Sequence, residues 1–298
     1  MARPWSPILL PAICAFWDAT FAQKVELTGG VVSKWSPLIG KDAVQATAAA
    51  RPIYSTRNGR PCIVFDGTDD WLVPDTTGWP VDDKQCSMSM AFYVNPNAGT
   101  AVTSRQIFGY GAAAPTTSPR RIRNTVNSGL VRLTRDIGAA TGSHSVETRG
   151  TDRVATAVYA SGAGAKLFYD NGWRGGLQFN AVATSGGNGG IGANGAGTQF
   201  FFGSISSIIL TASNWSPGEV EKYEGWAAHR FNMRLGGWQM PHRYVGSPPM
   251  ATAMEVERFI DICRDLDWRD EADLVAARRL YTPSRRLIAP DSGWNLAA

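Results

Sequence analysis

Short apolar runs, each cut off by turn residues, set the pattern over most of the chain. Residues 13–17 (ICAFW), 31–38 (VVSKWSPL), 51–54 (RPIY) and 61–66 (PCIVFD) predict strands, with Asn58–Gly59 and Gly67 marking tight turns. Residues 87–94 (SMSMAFYV) alternate polar and apolar, as a half-buried strand does. The pattern continues through 105–110, 122–135, 153–160 and 166–169, and a last apolar run, 200–210 (FFFGSISSIIL), predicts a buried strand. Asp170–Asn171–Gly172 is a hairpin signal, because a primed turn needs positive φ at both central residues. The Gly/Asn/Ser stretch 181–197 cannot supply a core of its own.

Only one helix interrupts this rhythm before residue 249. Ser216 and Glu219 form a capping box with Pro217 at the first helical position, and Val220, Tyr223, Ala227 and Phe231 then recur on one face. Many short strands with one late helix predict an all-β fold, an antiparallel sandwich of two sheets, since each sheet must cover its apolar face. Residues 1–11 (MARPWSPILLP) read as an extended N-terminal arm, too proline-rich for a helix. Beyond 249 the character changes: Val256, Phe259, Ile260, Cys263 and Leu266 share a helical face. The expected organisation is an arm over 1–11, a sandwich over 12–249 and a small helical C-terminal extension over 250–298.

Composition fits this outline. The 298 residues include 32 glycines, 17 prolines and 11 tryptophans, which suits turns and strands better than a helical bundle. A net charge of +4 does not imply nucleic acid, and Arg120, Arg121, Arg123, Arg132 and Arg135 read as a solvated strand face or a contact for an acidic partner. Cys14, Cys62, Cys86 and Cys263 are far apart and lack metal-ligand spacing, so they are expected as free thiols, mostly in the core. Pro7 and Pro11 break the N-terminal apolar run and Asp18 follows it, which argues against a signal peptide. With no apolar run of about 18 residues, membrane insertion is not expected.

A set of fragments carries a resemblance. In order they are Ala15–Phe16–Trp17–Asp18–Ala19, Val32–Ser33–Lys34–Trp35, Arg51–Pro52–Ile53–Tyr54 and Asn58–Gly59–Arg60–Pro61. Val64–Phe65–Asp66–Gly67, Asp69–Asp70–Trp71–Leu72 and Phe202–Gly203–Ser204–Ile205 follow. Trp226–Ala227–Ala228–His229–Arg230 and Pro241–His242–Arg243–Tyr244 complete the series. Together they resemble the concanavalin A-like lectin/glucanase (laminin G-like) jelly-roll domains of virion proteins in tailed phages and phage-like particles such as gene transfer agents. The resemblance implies a jelly-roll sandwich and a non-enzymatic virion structural protein, a head spike or fibre or a tail-fibre component, that binds host cell-surface carbohydrate. It implies a homo-oligomer, assembled in the host cytoplasm and resident in the virion, meeting other virion proteins through the N-terminal arm and the C-terminal extension.

The residues offer their own candidates. Aromatic faces stack on sugar rings while neighbouring polar groups fix hydroxyls, which singles out Trp71, Trp79, Tyr110 and the hairpin cluster Asn171, Trp173 and Arg174. Trp17, Trp35 and Phe65 are expected in the core. Asp66 and Asp69 are expected to accept backbone N–H groups in a turn; with Asp70 they form the one calcium candidate, short of the six to eight oxygens that ion takes. No other cofactor is expected. The glucanase Glu-x-Asp-x-Glu strand is absent: Glu219/Glu221 and Glu255/Glu257 lie in predicted helices, where residues two apart do not face each other. His144, His229 and His242 have no partner spacing, so the sequence predicts no enzyme. A purely structural assembly module and a polysaccharide-degrading enzyme are the alternatives.

Overall fold

The computed structural model describes residues 6–99, 104–111, 120–127, 130–137, 140–143, 148–161, 166–170, 173–178, 184, 187 and 189–233. The chain divides into two units, Met1–Met250 and Ala251–Ala298, and the helical extension expected over 250–298 lies outside the described residues. The first half contains β1 (Ile13–Asp18), β2 (Val25–Thr28), β3 (Val31–Trp35), β4 (Ala43–Val44), β5 (Ile53–Arg57), β6 (Arg60–Asp66), β7 (Val73–Pro74), β8 (Cys86–Val94) and β9 (Ser104–Tyr110). Then come β10 (Arg120–Asn127), β11 (Leu130–Ile137), β12 (Ala140–Ser143), β13 (Asp152–Tyr159), β14 (Lys166–Asp170), β15 (Trp173–Gln178), β16 (Gly190–Ile191) and β17 (Phe202–Thr211). The helix α1 (Pro217–Arg230) closes the described series.

These strands pair into three ladders. The largest runs β15-β14-β13-β8-β17-β6-β5, with β1 also on β17; the others run β12-β11-β10-β9-β16 and β2-β3-β4-β7. Every strand pairing is antiparallel among the described residues. Leu72 and Ile191 exchange two backbone hydrogen bonds, 2.9 and 3.0 Å, which set the two smaller ladders edge to edge. The outcome is mostly antiparallel β with a single described helix, as expected. With the two smaller ladders joined at that bridge, the arrangement is consistent with the sandwich expected, and the short strands β4, β7 and β16 are the ones that a reading built on apolar runs does not find.

Register explains the burial. Met88, Met90, Phe92 and Val94 alternate along β8 into one core with Trp17, Trp35, Phe65, Phe108 and Ile208. Trp17, Trp35 and Phe65 are fully enclosed, as their size predicts. The sequence predicts β8 half-buried, yet Ser87 and Ser89 are also at 0% exposure. α1 and its approach account for part of this. Ser87 Oγ accepts from Trp215 N–H at 2.9 Å, and Tyr223 Oη meets Ser207 Oγ at 2.8 Å on the neighbouring strand. Ser89 Oγ sits 2.6 Å from Thr156 Oγ1, so the polar alternation satisfies itself inside the protein.

Local signals act as read. Asn58 and Gly59 both have positive φ, 52° and 74°, between the paired Arg57 and Arg60, a type I′ hairpin geometry. Ser216 caps α1 with a complete capping box, and Val220, Tyr223, Ala227 and Phe231 are all buried. Ser216→Ala should cost about 1 kcal/mol, seen as a fall of about 2–4 °C in melting temperature by circular dichroism. The described part of the N-terminal arm is not extended: Pro7–Leu9 form a 3-10 turn capped by Ser6, and Ser6 and Leu10 are buried. Proline at the first turn position favours that turn, which the expectation of an extended arm overlooked. Cys62 and Cys86 are buried free thiols and Cys14 is half-buried.

Candidate functional site

The segment from β7 to β8 carries the chain from the four-stranded ladder to the eight-stranded one and closes that end of the molecule. It meets the ends of β13 and β17, whose last residues pair with the start of β8 as Tyr159↔Cys86 and Thr211↔Ser87. Here lies a shallow cavity of about 540 Å³, widely open to solvent, lined by Trp79, Asp83, Lys84, Gln85, Ser161 and Ala212 among others. Trp79 is only 5% exposed and is braced edge-on against Trp17, Phe108 and Tyr110, with ring centroids 6.2, 5.8 and 5.0 Å away. It is a fixed, largely buried residue of the cavity wall.

Beneath the segment sits Arg120, at 1% exposure. Its Nε donates to Thr184 Oγ1 (3.1 Å), Nη1 to Tyr110 Oη (3.3 Å) and Pro80 O (3.5 Å), and Nη2 to Asp82 O (2.9 Å) and Lys84 O (2.6 Å). Tyr110 Oη donates to Pro80 O at 2.8 Å, and burial pushes its phenol well above the ordinary pKa, so it stays a donor. Asp82 is held at φ 53°, in the left-handed region, by an antiparallel bridge to Thr184. The reading of Arg120 as part of a solvated basic face is therefore corrected. Strand periodicity is the reason: Arg120 and Ile122 share a face, and Ile122 lies in the core.

A second group lies on the turn after β6. Asp66, Asp69 and Asp70 bring carboxylate oxygens within 4.8 Å of one another. Asp66 Oδ1 accepts from Thr68 N (2.7 Å) and Asp69 N (3.3 Å), and Asp70 Oδ2 accepts from Asp66 N (3.0 Å). The turn role expected of Asp66 and Asp69 is thus carried by Asp66 and Asp70. The oxygens suit a hard cation in type; with part of them engaged by backbone N–H groups, three carboxylates fall short of a calcium shell. Burial, with Asp66 and Asp69 alongside, pushes the Asp70 carboxyl up to about 6, against the Asp66 N–H. A carboxyl raised on folding contributes stability that is present at low pH and lost as pH rises through its folded value. Stability should therefore fall between about pH 4 and pH 6, and Asp70→Asn should flatten that slope in melts run across this range.

The sequence-predicted residues scatter. Tyr110 is 1% exposed and faces the core, so its ring is not available for stacking, which corrects that reading. Trp71 is half-buried, its six-membered ring close beneath Gly197, and belongs to the acidic turn. Trp173 and Arg174 are adjacent on β15, hairpin-paired with β14, and Asn171 lies outside the described residues. Among those of the six whose side chains are described, Trp79 alone lines the cavity. Asp83, Lys84, Gln85 and Ser161 were missed; the polar run DDKQ between Pro80 and an alternating strand was the signal.

No family model matches the chain, and no curated protein matches it. Solved structures do. A sialidase of Trypanosoma rangeli bound to sialic acid is similar at TM-score 0.52 and 13% identity, over 75% of this chain and 35% of that one. An arabinofuranosidase bound to arabinofuranosyl-α-1,2-xylobiose is similar at TM-score 0.51 and 12% identity, over 70% of this chain and 52% of that one. A GH54 α-L-arabinofuranosidase is similar at TM-score 0.51 and 11% identity, over 69% and 52%. The chain spans about a third of the sialidase's length, and at these identities the likeness is one of fold. These neighbours are carbohydrate-active enzymes, not virion lectins, so the expectation of a non-enzymatic virion structural protein is corrected. The fragment resemblance rested on core aromatics and turns, which antiparallel β folds of many functions share.

Proposed function

We propose that this chain is a saccharide-binding β domain of a carbohydrate-active protein, taking one or a few sugar units in the cavity between Trp79 and Ser161. The cavity carries the reading. It has the volume of a small-ligand site, about 540 Å³ against the usual span of roughly 300–1,000 Å³. It brings the polar residues Asp83, Lys84, Gln85 and Ser161 together beside the largely buried Trp79. Hydroxyl-rich ligands need donors and acceptors gathered at such a rim. The fold neighbours, crystallised with sialic acid and with an arabinosyl-xylobiose, supply the saccharides to try first.

The test is calorimetric titration of the full chain with sialylated, arabinosylated and xylan-derived oligosaccharides. Saturable binding should appear for one class, and Lys84→Ala or Gln85→Ala should weaken it about fivefold or more, since a lost hydrogen bond is worth about 1 kcal/mol. Absence of saturable binding across the panel overturns the reading.

One observation favours a second reading, glycoside hydrolysis. Burial pushes the Asp70 carboxyl up to about 6 beside the Asp66 and Asp69 carboxylates, and carboxyls set apart in this way are what acid–base chemistry draws on. Sustained release of reducing ends, abolished by Asp70→Asn, would favour this over binding alone.

A further inference from the structure

We propose that Arg120 is a positioning residue for the cavity: from behind, it fixes the segment whose side chains would meet the ligand, and touches no ligand itself. The inference rests on the saccharide reading of that cavity and deepens it.

The guanidinium has five N–H donors in a planar fork, and here all five are engaged. Three of the acceptors are the carbonyls of Pro80, Asp82 and Lys84, alternate residues of the segment that also lines the cavity. The other two, Tyr110 Oη and Thr184 Oγ1, anchor the fork to the core strand β9 and to the segment bridged to Asp82. Turning alternate carbonyls inward sets the course of the backbone and so the departure points of Asp83, Lys84 and Gln85.

Two features indicate that stability alone does not explain this arrangement. Arg120 makes no ion pair with a carboxylate among the described residues, so its buried charge is met by carbonyls, hydroxyls, the Cys86 thiol and the Tyr159 ring 5.4 Å away. The site thus carries the desolvation cost of a buried cation, and the carbonyls that an apolar residue would leave without a donor are the ones that shape this segment. The segment it holds also contains Asp82 in the left-handed region, a conformation that persists only where the surroundings impose it. A costly cation clamping a strained loop at the mouth of a cavity is what pre-organisation of a binding rim requires.

The experiment pairs amide hydrogen exchange with saccharide titration on the full chain, comparing wild type, Arg120→Lys, Thr184→Val and Ile205→Val. Lysine keeps the charge but offers three donors on a flexible stem. The expected result for Arg120→Lys is exchange over residues 78–85 faster by about tenfold or more with Met88–Val94 unchanged, and saccharide affinity lower by about tenfold. Thr184→Val removes one acceptor and should give the same pattern at smaller amplitude, which serves if Arg120→Lys fails to fold. Ile205→Val trims the core elsewhere and should shift the melting temperature without altering exchange at 78–85 or affinity. Unchanged exchange at 78–85 in both Arg120→Lys and Thr184→Val overturns the proposal, as does an equal effect of Ile205→Val. If the wild type binds no saccharide while Arg120→Lys still speeds exchange at 78–85, the saccharide reading fails and the Arg120 clamp on the segment stands.

Discussion

Trp17→Ala is expected to destabilise the protein by about 3–5 kcal/mol, a fall in melting temperature of roughly 10 °C by calorimetry. Trp17 is at 0% exposure on β1, where it packs against rings from both smaller ladders: Trp35 at 6.3 Å and Phe108 at 6.5 Å, with Trp79 at 6.2 Å. Its Nε1 donates to Trp35 O at 3.0 Å, so truncation opens a large void and also leaves a buried carbonyl short of a donor. Neighbours this rigid cannot collapse into the space. Trp17→Phe keeps most of the ring and should lose less than half as much. A loss for Trp17→Ala within about 1 kcal/mol of wild type would mean the core is looser than this packing allows.

The second large effect is expected for Arg230→Ala. Arg230, in the last turn of α1, donates through Nε to Asp18 Oδ2 (3.3 Å) and through Nη2 to Thr20 Oγ1 (2.6 Å). The two charged side chains are 15% and 1% exposed, and Asp18 Oδ1 also accepts from Thr20 N and Oγ1. Removing one partner of a buried pair strands the other charge, at a cost of about 3–5 kcal/mol. Burial pushes the Asp18 carboxyl up, while Arg230 and Thr20 pull it down. Without Arg230 it rises further. A carboxyl raised on folding adds stability at low pH that disappears as pH climbs through its folded value. The variant should therefore be weakest at neutral pH and regain part of its loss as pH falls toward about 4, where unfolded aspartate takes up its proton. Melts of wild type and variant between these limits check it; a loss independent of pH would show that Asp18 never carries its charge in the fold.

These two residues also show what the sequence could and could not reveal. Trp17 announces itself, because a large aromatic in a short apolar run has nowhere to go but the core, and the strands at 13–17, 61–66 and 87–94 follow from the same logic. Asp18 and Arg230 are more than two hundred positions apart, and nothing local tells that they meet. Arg120 was legible in principle through its period-two relation to Ile122, but the surrounding arginines masked it. The cavity was harder still: its wall is a polar connecting segment, backed by a buried cation from another ladder, and its shape depends on where two strand ends stop. Tyr110 misled for the opposite reason, since a tyrosine beside glycine reads as surface while β9 turns it inward to Pro80.

The bridge between Leu72 and Ile191 has a mechanical meaning. Two hydrogen bonds are all that this bridge supplies where the smaller ladders meet, against eight paired positions between β8 and β13. The pairings β4–β7 and β16–β9 on either side of it have two positions each, so thermal breathing of this layer should begin along that line, one residue beyond Trp71.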